Sequence, residues 1–521
     1  MKLNSLTCSA SMALFAVLAV PTGMTAQDQS STQAPTAKHS RFEAVDIPTF
    51  GGPASYINPQ SVFGSPTQIN NRGRAVGAAA TSIPAFPTSN GFVCFGQAGA
   101  VPFVYHAFEW LNGNTKDLDT LGSAAECSLA TSINAKGQIV GNSELEEIDP
   151  VLGLKQVRAV LWENGQVINL GTFGGSYSGA AANNSRGQVI GFATDQIPDP
   201  FSFFYQLLAG ASTGTQTRAF LWQNGELLDL GTLGGPDAAA FAVNQRGQVV
   251  GGSYVNSTPN LATGIPTIDC FLWETGKMTD LGSLGGTDCV VTAINNRGQV
   301  IGAANLAGDG IADPFLWDGE KLLDLYTSSG GNVLAVDSIN DAGEIVGAAD
   351  FSSTGASPIS AVLWKNDVAT NLGTLSGGCY SHAHVINSQG QVAGESFACD
   401  TFEARAFLWE NGSMIDLNAN IPAGFSLRLT NAATINERGE VGGFGAPAGC
   451  DDAELCGRAF LLIPTGWNDT KAISPVTGSR PFIYNLPSKL ATGNPLLTAR
   501  MERLRARMSR RPVSNAMWRP R

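Results

Sequence analysis

The stretch Ala219–Gly235, AFLWQNGELLDLGTLGG, holds two short apolar segments separated by Asn224-Gly225 and ends in a glycine-rich bend. Asn and Gly tolerate positive φ, so this dipeptide between apolar runs predicts a β-hairpin. Nearly the same residues return at Val160–Gly175 and at Ala406–Leu417. The chain therefore repeats a unit that contains a hairpin.

Three phrases recur in a fixed order: an Asn-x-x-Gly turn followed by a β-branched pair and Gly, the AFLW strand, and the DLGTLGG strand with its bend. Each phrase occurs eight times, and together they give four strands of about five residues in a unit of roughly 50 residues. So small a sheet has apolar surface on both faces and must stack against its neighbours, with the Trp and Phe of AFLW between them. The pattern predicts an all-β protein, a β-propeller of about eight four-stranded blades.

The two ends of the repeat region complement each other. Phe42–Gly52 matches the third phrase alone, and Ala459–Ile463 matches the second phrase alone. A ring can pair such N- and C-terminal strands and so remove both of its sheet edges. We therefore expect a closed propeller over residues 42–463. A β-solenoid and a seven-bladed propeller are the alternatives.

The repeats are also similar to a known family. Tyr105–Trp110 (YHAFEW), together with the INxxGQVVG and DLGTLGG phrases, resembles the HAF repeat of extracellular bacterial proteins, named for the triplet found here at His106-Ala107-Phe108. The resemblance covers Phe42 to Ile463. It implies a secreted repeat protein and brings no catalytic residues with it.

The two ends of the chain differ from the repeats. Residues 1–26 have the apolar run and small residues of a signal peptide cleaved after Ala26, and the run is too short to span a bilayer. Residues 27–41 are polar and predict a disordered linker. Residues 464–521 form a basic tail on a chain of formal net charge −12, with a short amphipathic helix near 494–511.

These ends predict where the protein works. We expect a secreted, periplasmic or cell-envelope protein without a transmembrane span. The basic tail is expected to lie on its own acidic propeller, to contact an anionic surface, or to stay unfolded. Nucleic acid is not an expected partner of an exported acidic protein.

The two faces of the predicted ring differ in the length and variability of their connections. Both Asn/Gly turns of a unit lie at one edge of its blade, and the long, variable connections lie at the opposite edge, which we call the long-looped face. Function normally sits on loops held by a rigid frame, so we expect any ligand, an unknown protein or glycan, at this face. Its longest connections are residues 78–104, 142–157, 192–217, 252–269 and 444–457.

Eight cysteines remain after signal removal, all in or beside segments of the long-looped face. An even count in an exported chain predicts disulfides, and no C-x-x-C spacing suggests a thiolate metal site. Sequence neighbours are the expected partners: Cys94–Cys127, Cys270–Cys289, Cys379–Cys399 and Cys450–Cys456.

Two motifs have some character of a metal site. His382 and His384 lie on the same side of a strand and could hold a metal. The sequence suggests no third ligand, and the position corresponds to Ala, Ser or Thr in other units, so we favour a solvent-facing or hydrogen-bonded pair. Asn305, Asp309 and Asp313 are spaced like part of a calcium loop but lack the terminal Glu, so we favour a turn. No metal ligand or cofactor is assigned, and calcium is the alternative.

One loop carries an unusual cluster of aromatic residues. Within Asp199–Gly210 (DPFSFFYQLLAG) the residues Phe201, Phe203, Phe204 and Tyr205 lie inside an insertion. Such a cluster either folds back onto the propeller or forms a contact patch for a partner. We favour fold-back, and the alternative makes these four residues candidates for partner contact.

The sequence contains no nucleophile elbow, phosphate-binding loop or dinucleotide fingerprint. Glu144, Glu146, Glu147 and Asp149 cluster in one loop, but an acid/base pair would need two carboxylates facing each other across a cleft. The favoured hypothesis is a secreted, non-enzymatic binding or interaction module for a glycan or a cell-envelope component. The competing hypothesis is a polysaccharide-active hydrolase or lyase of the propeller type that uses loop carboxylates. No catalytic residue is assigned.

Overall fold

The computed structural model describes residues 40–57, 67–85, 92–94, 97–98, 103–208, 214–261, 263–328, 333–351, 359–450 and 456–465. The predicted signal peptide, the linker up to residue 39 and the basic tail after residue 465 lie outside the described residues.

The described chain forms eight four-stranded antiparallel sheets, the blades of a β-propeller. Blade 1 contains β2 (Gly51–Tyr56), β3 (Ala75–Pro84), β6 (Phe103–Leu111) and β7 (Asn114–Asp117), and blade 2 contains β8 (Ser128–Ile133), β9 (Ile139–Ile148), β10 (Lys155–Glu163) and β11 (Gln166–Asn169). Blade 3 contains β12 (Ser178–Asn183), β13 (Val189–Asp199), β14 (Gly214–Gln223) and β15 (Glu226–Asp229), and blade 4 contains β16 (Ala238–Val243), β17 (Val249–Pro259), β18 (Pro266–Glu274) and β19 (Lys277–Gly282). Blade 5 contains β20 (Gly285–Ile294), β21 (Val300–Leu306), β22 (Ala312–Trp317) and β23 (Leu322–Asp324), and blade 6 contains β24 (Val333–Ile339), β25 (Ile345–Asp350), β26 (Ile359–Lys365) and β27 (Val368–Gly373). Blade 7 contains β28 (Gly378–Ile386), β29 (Val392–Ala398), β30 (Ala404–Glu410) and β31 (Ser413–Asp416), and blade 8 contains β32 (Leu427–Ile435), β33 (Val441–Pro447), β34 (Arg458–Thr465) and β1 (Arg41–Asp46).

A few short elements lie outside the blades. A two-stranded hairpin, β4 (Phe92–Val93) with β5 (Gln97–Ala98), belongs to the long loop of blade 1. Three helical segments also occur among the described residues: a π-helical turn at Phe203–Leu208, α1 at Leu325–Ser328, and a 3-10 turn at Leu417–Ala419.

The N-terminal strand closes the ring. β1 pairs antiparallel with β34, from Arg41 opposite Thr465 to Asp46 opposite Phe460. Phe42 on β1 is buried in the core of blade 8. The predicted eight-bladed, closed propeller is confirmed, and neither a solenoid nor a seven-bladed ring fits this topology.

The two kinds of Asn/Gly turn work differently. In the AFLW hairpins both residues adopt positive φ, as Asn164 (54°) and Gly165 (77°) do, which fits the prediction. In the Asn-x-x-Gly turns only the glycine does, for example Gly298 at 87°. The asparagine of this turn therefore has a purpose other than its tolerance of positive φ.

These asparagines join the blades into a ring of hydrogen bonds. The side-chain amide of each donates to the backbone carbonyl of its counterpart in the next blade, at 2.8 to 3.1 Å, and Asn436 closes the circle onto Asn70. Each is at most 6% exposed. Because a buried amide is costly unless it is fully bonded, the ring favours this one arrangement of neighbouring blades. Its members are Asn70, Asn134, Asn184, Asn244, Asn295, Asn340, Asn387 and Asn436.

Apolar side chains fill the space between blades, as the repeat predicts. Phe271 and Trp273 of β18, for example, pack in one cluster with Ile190 and Leu221 of blade 3. Burial of one such ring stabilises the fold by roughly 2–3 kcal/mol. The phenylalanine of the AFLW phrase is fully buried in six blades, at Phe108, Phe220, Phe271, Phe315, Phe407 and Phe460.

The antiparallel order confirms that the two faces differ. Turns between the first and second strands and between the third and fourth strands of a blade lie at one face. Connections between the second and third strands, and from one blade to the next, form the long-looped face. No helix among the described residues is long and apolar enough to cross a membrane.

Candidate functional site

Exposed apolar side chains collect on the long loops of three consecutive blades. Ile148 is the last residue of β9 and Val151 follows it in blade 2, Ile197 lies near the end of β13 in blade 3, and Leu261 lies on the loop of blade 4. Each is about half exposed or more, and Leu261 is fully exposed. Exposed apolar groups on the loop side of neighbouring blades are candidates for contact with a partner. This part of the long-looped face is therefore the candidate binding surface.

The aromatic loop of blade 3 lies against the propeller in the same region. Phe203 stacks on Tyr254, with ring centroids 4.5 Å apart, and Phe204 stacks on Tyr177 at 4.4 Å. Tyr205 is buried and contacts the edge of the Tyr177 ring. The loop thus folds back onto neighbouring blades. A partner contact by these residues stays a prediction.

A buried carboxylate anchors this loop. Asp237 Oδ2 accepts a hydrogen bond from the backbone N–H of Phe203 at 2.5 Å, and its Oδ1 accepts one from Thr217 at 2.9 Å. Burial raises the pKa of Asp237 well above its usual value. Phe201 packs in the adjacent cluster, and its carbonyl accepts a hydrogen bond from the Tyr254 hydroxyl at 2.8 Å. The aromatic loop is therefore a fixed part of the long-looped face.

Two of the predicted loop carboxylates hold the structure together. Glu144 Oε2 accepts from the backbone N–H of Cys127 at 3.1 Å. Asp149 Oδ1 accepts from the backbone N–H of Leu152 at 2.7 Å, and its Oδ2 accepts from the Tyr205 hydroxyl at 3.0 Å. These oxygens are occupied by structural bonds. The other two predicted loop carboxylates, Glu146 and Glu147, are exposed.

Three of the four predicted disulfides are present at the long-looped face. Two of them join neighbouring blades: one runs from the loop of blade 1 to Cys127, which directly precedes β8, and the other from β18 to β20. The third closes a small loop of blade 8. The confirmed pairs are Cys94–Cys127, Cys270–Cys289 and Cys450–Cys456.

The prediction of a Cys379–Cys399 disulfide is wrong for this structure, in which both are free thiols. The two thiols are neighbours, because Gly378 pairs with Ala398 and the Cys399 N–H donates to the Gly377 carbonyl at 3.0 Å. Burial, and to a lesser extent the neighbouring Cys399 thiol, raise the pKa of Cys379 to about 12.

The loop that resembles part of a calcium site is held by protein groups. Asp309 Oδ1 accepts from the backbone N–H of Thr287 at 2.6 Å and from the Asn305 amide at 3.3 Å. Asp313 is buried on β22. The segment has the bonds of a turn, and calcium remains untested.

A second candidate site lies on the innermost strands. The first strands of consecutive blades, from β8 to β32, contact one another in succession and so surround the axis. His382 and His384 are on the first strand of blade 7, and Asp337 is on that of blade 6. One ligand atom from each of these three lies within 4.8 Å of the others. We call them, with Glu395 and Asn431, the inner-strand cluster.

The cluster is tightly connected. His382 Nε2 lies 2.5 Å from Asp337 Oδ2, and the two imidazole rings have centroids 4.6 Å apart. His384 Nε2 lies 3.6 Å from Glu395 Oε1 and 3.2 Å from the amide nitrogen of Asn431. That nitrogen also donates to Glu395 Oε2 at 3.0 Å. Two carboxylates and two imidazoles therefore meet where blades 6, 7 and 8 come together.

Charge interactions determine the protonation of the cluster. Burial acts to raise the pKa of Asp337, but His382 and His384 outweigh it, and the pKa lies below its usual value. Burial acts to lower the pKa of His384, but Glu395 outweighs it, and the pKa is raised. The pKa of Glu395 is lowered, because His384 outweighs burial. Carboxylates and imidazoles thus stabilise each other's charged forms.

The sequence-based interpretation found both histidines and missed Asp337. Strand register shows why: His384 is the extra residue between Ala383 and Val385, and Asp337 is the extra residue between Val336 and Ser338. The two occupy corresponding positions in consecutive blades. The expectation of Ala, Ser or Thr there was wrong for blade 6, and alignment of the units by bulge would have revealed the third donor.

Comparison with known proteins finds only remote structural similarity. No protein-family model matches the chain, and no curated protein matches it. Among solved structures it is similar to the β-propeller domain of the Trilobed protease from Pyrococcus furiosus (10% identity, 68% of this chain and 98% of that chain, TM-score 0.38). It is also similar to Pyrococcus horikoshii acylaminoacyl peptidase (12%, 75% and 58%, 0.39) and Trypanosoma rangeli sialidase (10%, 73% and 59%, 0.29). At these values the similarity carries no argument about activity.

Proposed function

We propose that the protein is an exported β-propeller that binds a component of the cell envelope at its long-looped face without changing it chemically. The observation that carries the proposal is the set of exposed apolar side chains on the long loops of blades 2 to 4, led by Leu261. A ring of blades fixed by hydrogen bonds and disulfides holds these loops in place. Such a preorganised surface lowers the entropic cost of binding.

The bonds of the loop carboxylates favour binding over catalysis. A general acid/base pair must face its substrate with free oxygens. Glu144 and Asp149 direct theirs at backbone N–H groups and at a tyrosine hydroxyl. This supports the non-enzymatic function over the hydrolase or lyase alternative.

Three features support export. The first 26 residues have the composition of a signal peptide, the repeats resemble the secreted HAF family, and three disulfides are formed. Disulfides persist mainly in oxidising compartments. We infer that the protein works outside the cytoplasm and belongs to the HAF-type repeat proteins.

The test uses exposed apolar residues on two parts of the propeller. The triple variant Ile148→Ser, Ile197→Ser and Leu261→Ser alters the candidate surface. The control variant Leu228→Ser with Val368→Ser removes equally exposed side chains from the outermost strands β15 and β27.

Both variants and the parent are measured against isolated envelope fractions and a glycan panel, with a parallel screen for soluble products. We expect the parent and the control variant to bind, the triple variant to lose binding, and no products to form. Equal binding by all three proteins would contradict the assigned surface. Release of soluble fragments would establish the enzymatic alternative instead.

The basic tail is tested separately, because it lies outside the described residues. Deletion of residues 490–521 should reduce association with anionic envelope surfaces if the tail contacts them. Unchanged association would remove the tail from the binding function and leave it to the long-looped face.

A further inference from the structure

We propose that Asp337, His382 and His384 bind a divalent transition metal ion, with zinc as the first choice, between blades 6 and 7. This inference is independent of the ligand bound at the long-looped face. It rests on the inner-strand cluster, which belongs to the interior of the ring.

The donor set suits such an ion. Two imidazoles and one carboxylate are the protein ligands of many catalytic zinc sites and of non-haem iron sites. Metal–ligand bonds of about 2.0–2.2 Å hold neighbouring ligand atoms about 3–4 Å apart. The three donor atoms lie within 4.8 Å of one another. Small side-chain rotations that separate His382 Nε2 from Asp337 Oδ2 and draw the more distant atoms closer would bring all three onto one ion. Three protein ligands leave a further position for water or for an oxygen of a bound molecule.

The backbone places the donors where an ion can reach them. His382 and His384 are two residues apart on one strand, and Asp337 comes from the adjacent innermost strand. Their side chains are 15%, 23% and 32% exposed, so they are neither sealed in the core nor free in solvent. Partial exposure with fixed geometry is what a binding site for a small cation requires.

The repeat itself does not demand these residues. In other described blades the positions that correspond to His384 include Thr131, Ala181, Phe241 and Thr292, none of which is charged. The propeller therefore closes without ionisable groups there. The fold therefore does not require two histidines and an aspartate at this junction of blades. All three side chains are common ligands of cations such as zinc.

Glu395 and Asn431 complete the cluster as outer partners. Metal-binding histidines commonly direct their second ring nitrogen at a carboxylate, which fixes the ring and makes it a better ligand. Glu395 takes this place beside His384, and Asn431 holds Glu395 by a 3.0 Å hydrogen bond. The carboxylates of Glu395 and Asp337 together supply the two negative charges that neutralise a dication.

The alternative hypothesis is that the inner-strand cluster binds a proton instead of a metal ion. The same residues could form a structural network in which a protonated imidazole lies between carboxylates, with no metal involved. The two cases differ in stoichiometry and in spectrum, because only a metal site binds one cobalt ion per chain with visible absorption that reports its ligands.

The experiment uses the full, untagged chain after export, stripped with a chelator and dialysed. Zinc is titrated at pH 7.5 by calorimetry, and cobalt by visible absorption. We expect one ion per chain. The variants Asp337→Asn, His382→Gln and His384→Gln should each weaken zinc binding at least as much as loss of an outer partner does, about 10- to 100-fold.

Two controls come from the same chain. His106 is a buried histidine paired with Asp117 at 2.7 Å and belongs to no group of three possible metal ligands among the described residues, so His106→Gln should bind zinc like the parent. Cys379→Ser with Cys399→Ser removes the free thiols, the other metal-binding groups near β28, and should also leave binding unchanged. Circular dichroism shows whether each variant is folded.

Three outcomes would overturn the proposal. One is a parent chain that binds neither ion. The second is folded cluster variants that bind zinc as tightly as the parent. The third is loss of binding in the thiol variant instead, which would assign the ion to the cysteines.

Discussion

The ring of asparagines makes a quantitative prediction about stability. In Asn295→Ala, four hydrogen bonds are lost. Oδ1 no longer accepts from the backbone N–H groups of Arg297 and Gln299, both at 3.0 Å, and Nδ2 no longer donates to Gln299 Oε1 at 2.8 Å or to the Asn340 carbonyl at 3.0 Å. At about 1 kcal/mol net per bond, we expect a loss of about 3–4 kcal/mol.

This loss converts into a measurable shift of the unfolding temperature. Unfolding entropy of about 2.1 cal/mol/K per residue over roughly 400 residues gives ~0.8 kcal/mol/K, so the variant should melt about 4–5 °C below the parent. Differential scanning calorimetry at neutral pH measures it. The shift should be similar for the same substitution at Asn184 or Asn244, because their bonds are equivalent.

The neighbouring residue provides the control. Asn296 also bonds to adjacent blades, donating to Asp341 Oδ2 at 2.8 Å and accepting from the Gln245 N–H at 2.9 Å, but these bonds are exposed. Water replaces exposed bonds, so Asn296→Ala should cost about 0.5 kcal/mol and shift melting by less than about 1 °C. Equal shifts for Asn295→Ala and Asn296→Ala would refute the argument that burial gives the ring its strength.

Three further predictions follow from other parts of the fold. Deletion of residues 40–46 removes β1 and opens the ring, so melting should fall and a peptide of that sequence added in trans should restore part of the loss. Cys379 and Cys399 should both be alkylated in the purified, unfolded protein, and a disulfide oxidant should protect them together, as mass spectrometry of the intact chain will show. Burial acts to lower the pKa of His106, but Asp117 outweighs it and the pKa is raised, so the pair stabilises the fold below that pKa and loses this contribution as pH rises through it. Asp117→Asn should therefore lower the melting temperature more at pH 6 than at pH 9.

The fold could be predicted because it is specified by local signals that recur. The hairpin at Asn164-Gly165 and the glycine of each Asn-x-x-Gly turn follow from short-range sequence alone. Closure followed from the complementary ends of the repeat region, and β1 pairs with β34 as expected. The asparagine ring was not predictable in this way. Its hydrogen bonds join one blade to the next and so link residues far apart in the sequence. Asn295 and Asn340 are 45 positions apart, and Asn70 and Asn134 are 64 positions apart.

Only part of each candidate site could be predicted from the sequence. The aromatic loop was recognised from its composition, but its anchor Asp237 was not, because that residue lies in the next blade and looks like any turn aspartate. Asp337 was missed for a similar reason, since it is 45 residues from His382. The free thiols of Cys379 and Cys399 were not predicted, because cysteine spacing alone does not show which sulfur atoms are bonded.

Departures from the repeat are the best guide to function in a molecule of this kind. The strand contacts of the described residues join each blade to its two neighbours, so stability is close to a sum of similar junctions and most positions are constrained by packing. A residue that breaks the pattern without improving that packing needs another explanation. Leu261 leaves its whole side chain in water at the long-looped face, and Asp337 and His384 are ionisable residues at a position where other described blades have uncharged ones such as Thr131, Ala181, Phe241 and Thr292. The first departure favours contact with a large partner, and the second favours a cation. They lie on different parts of the propeller, so each can be removed without disturbing the other.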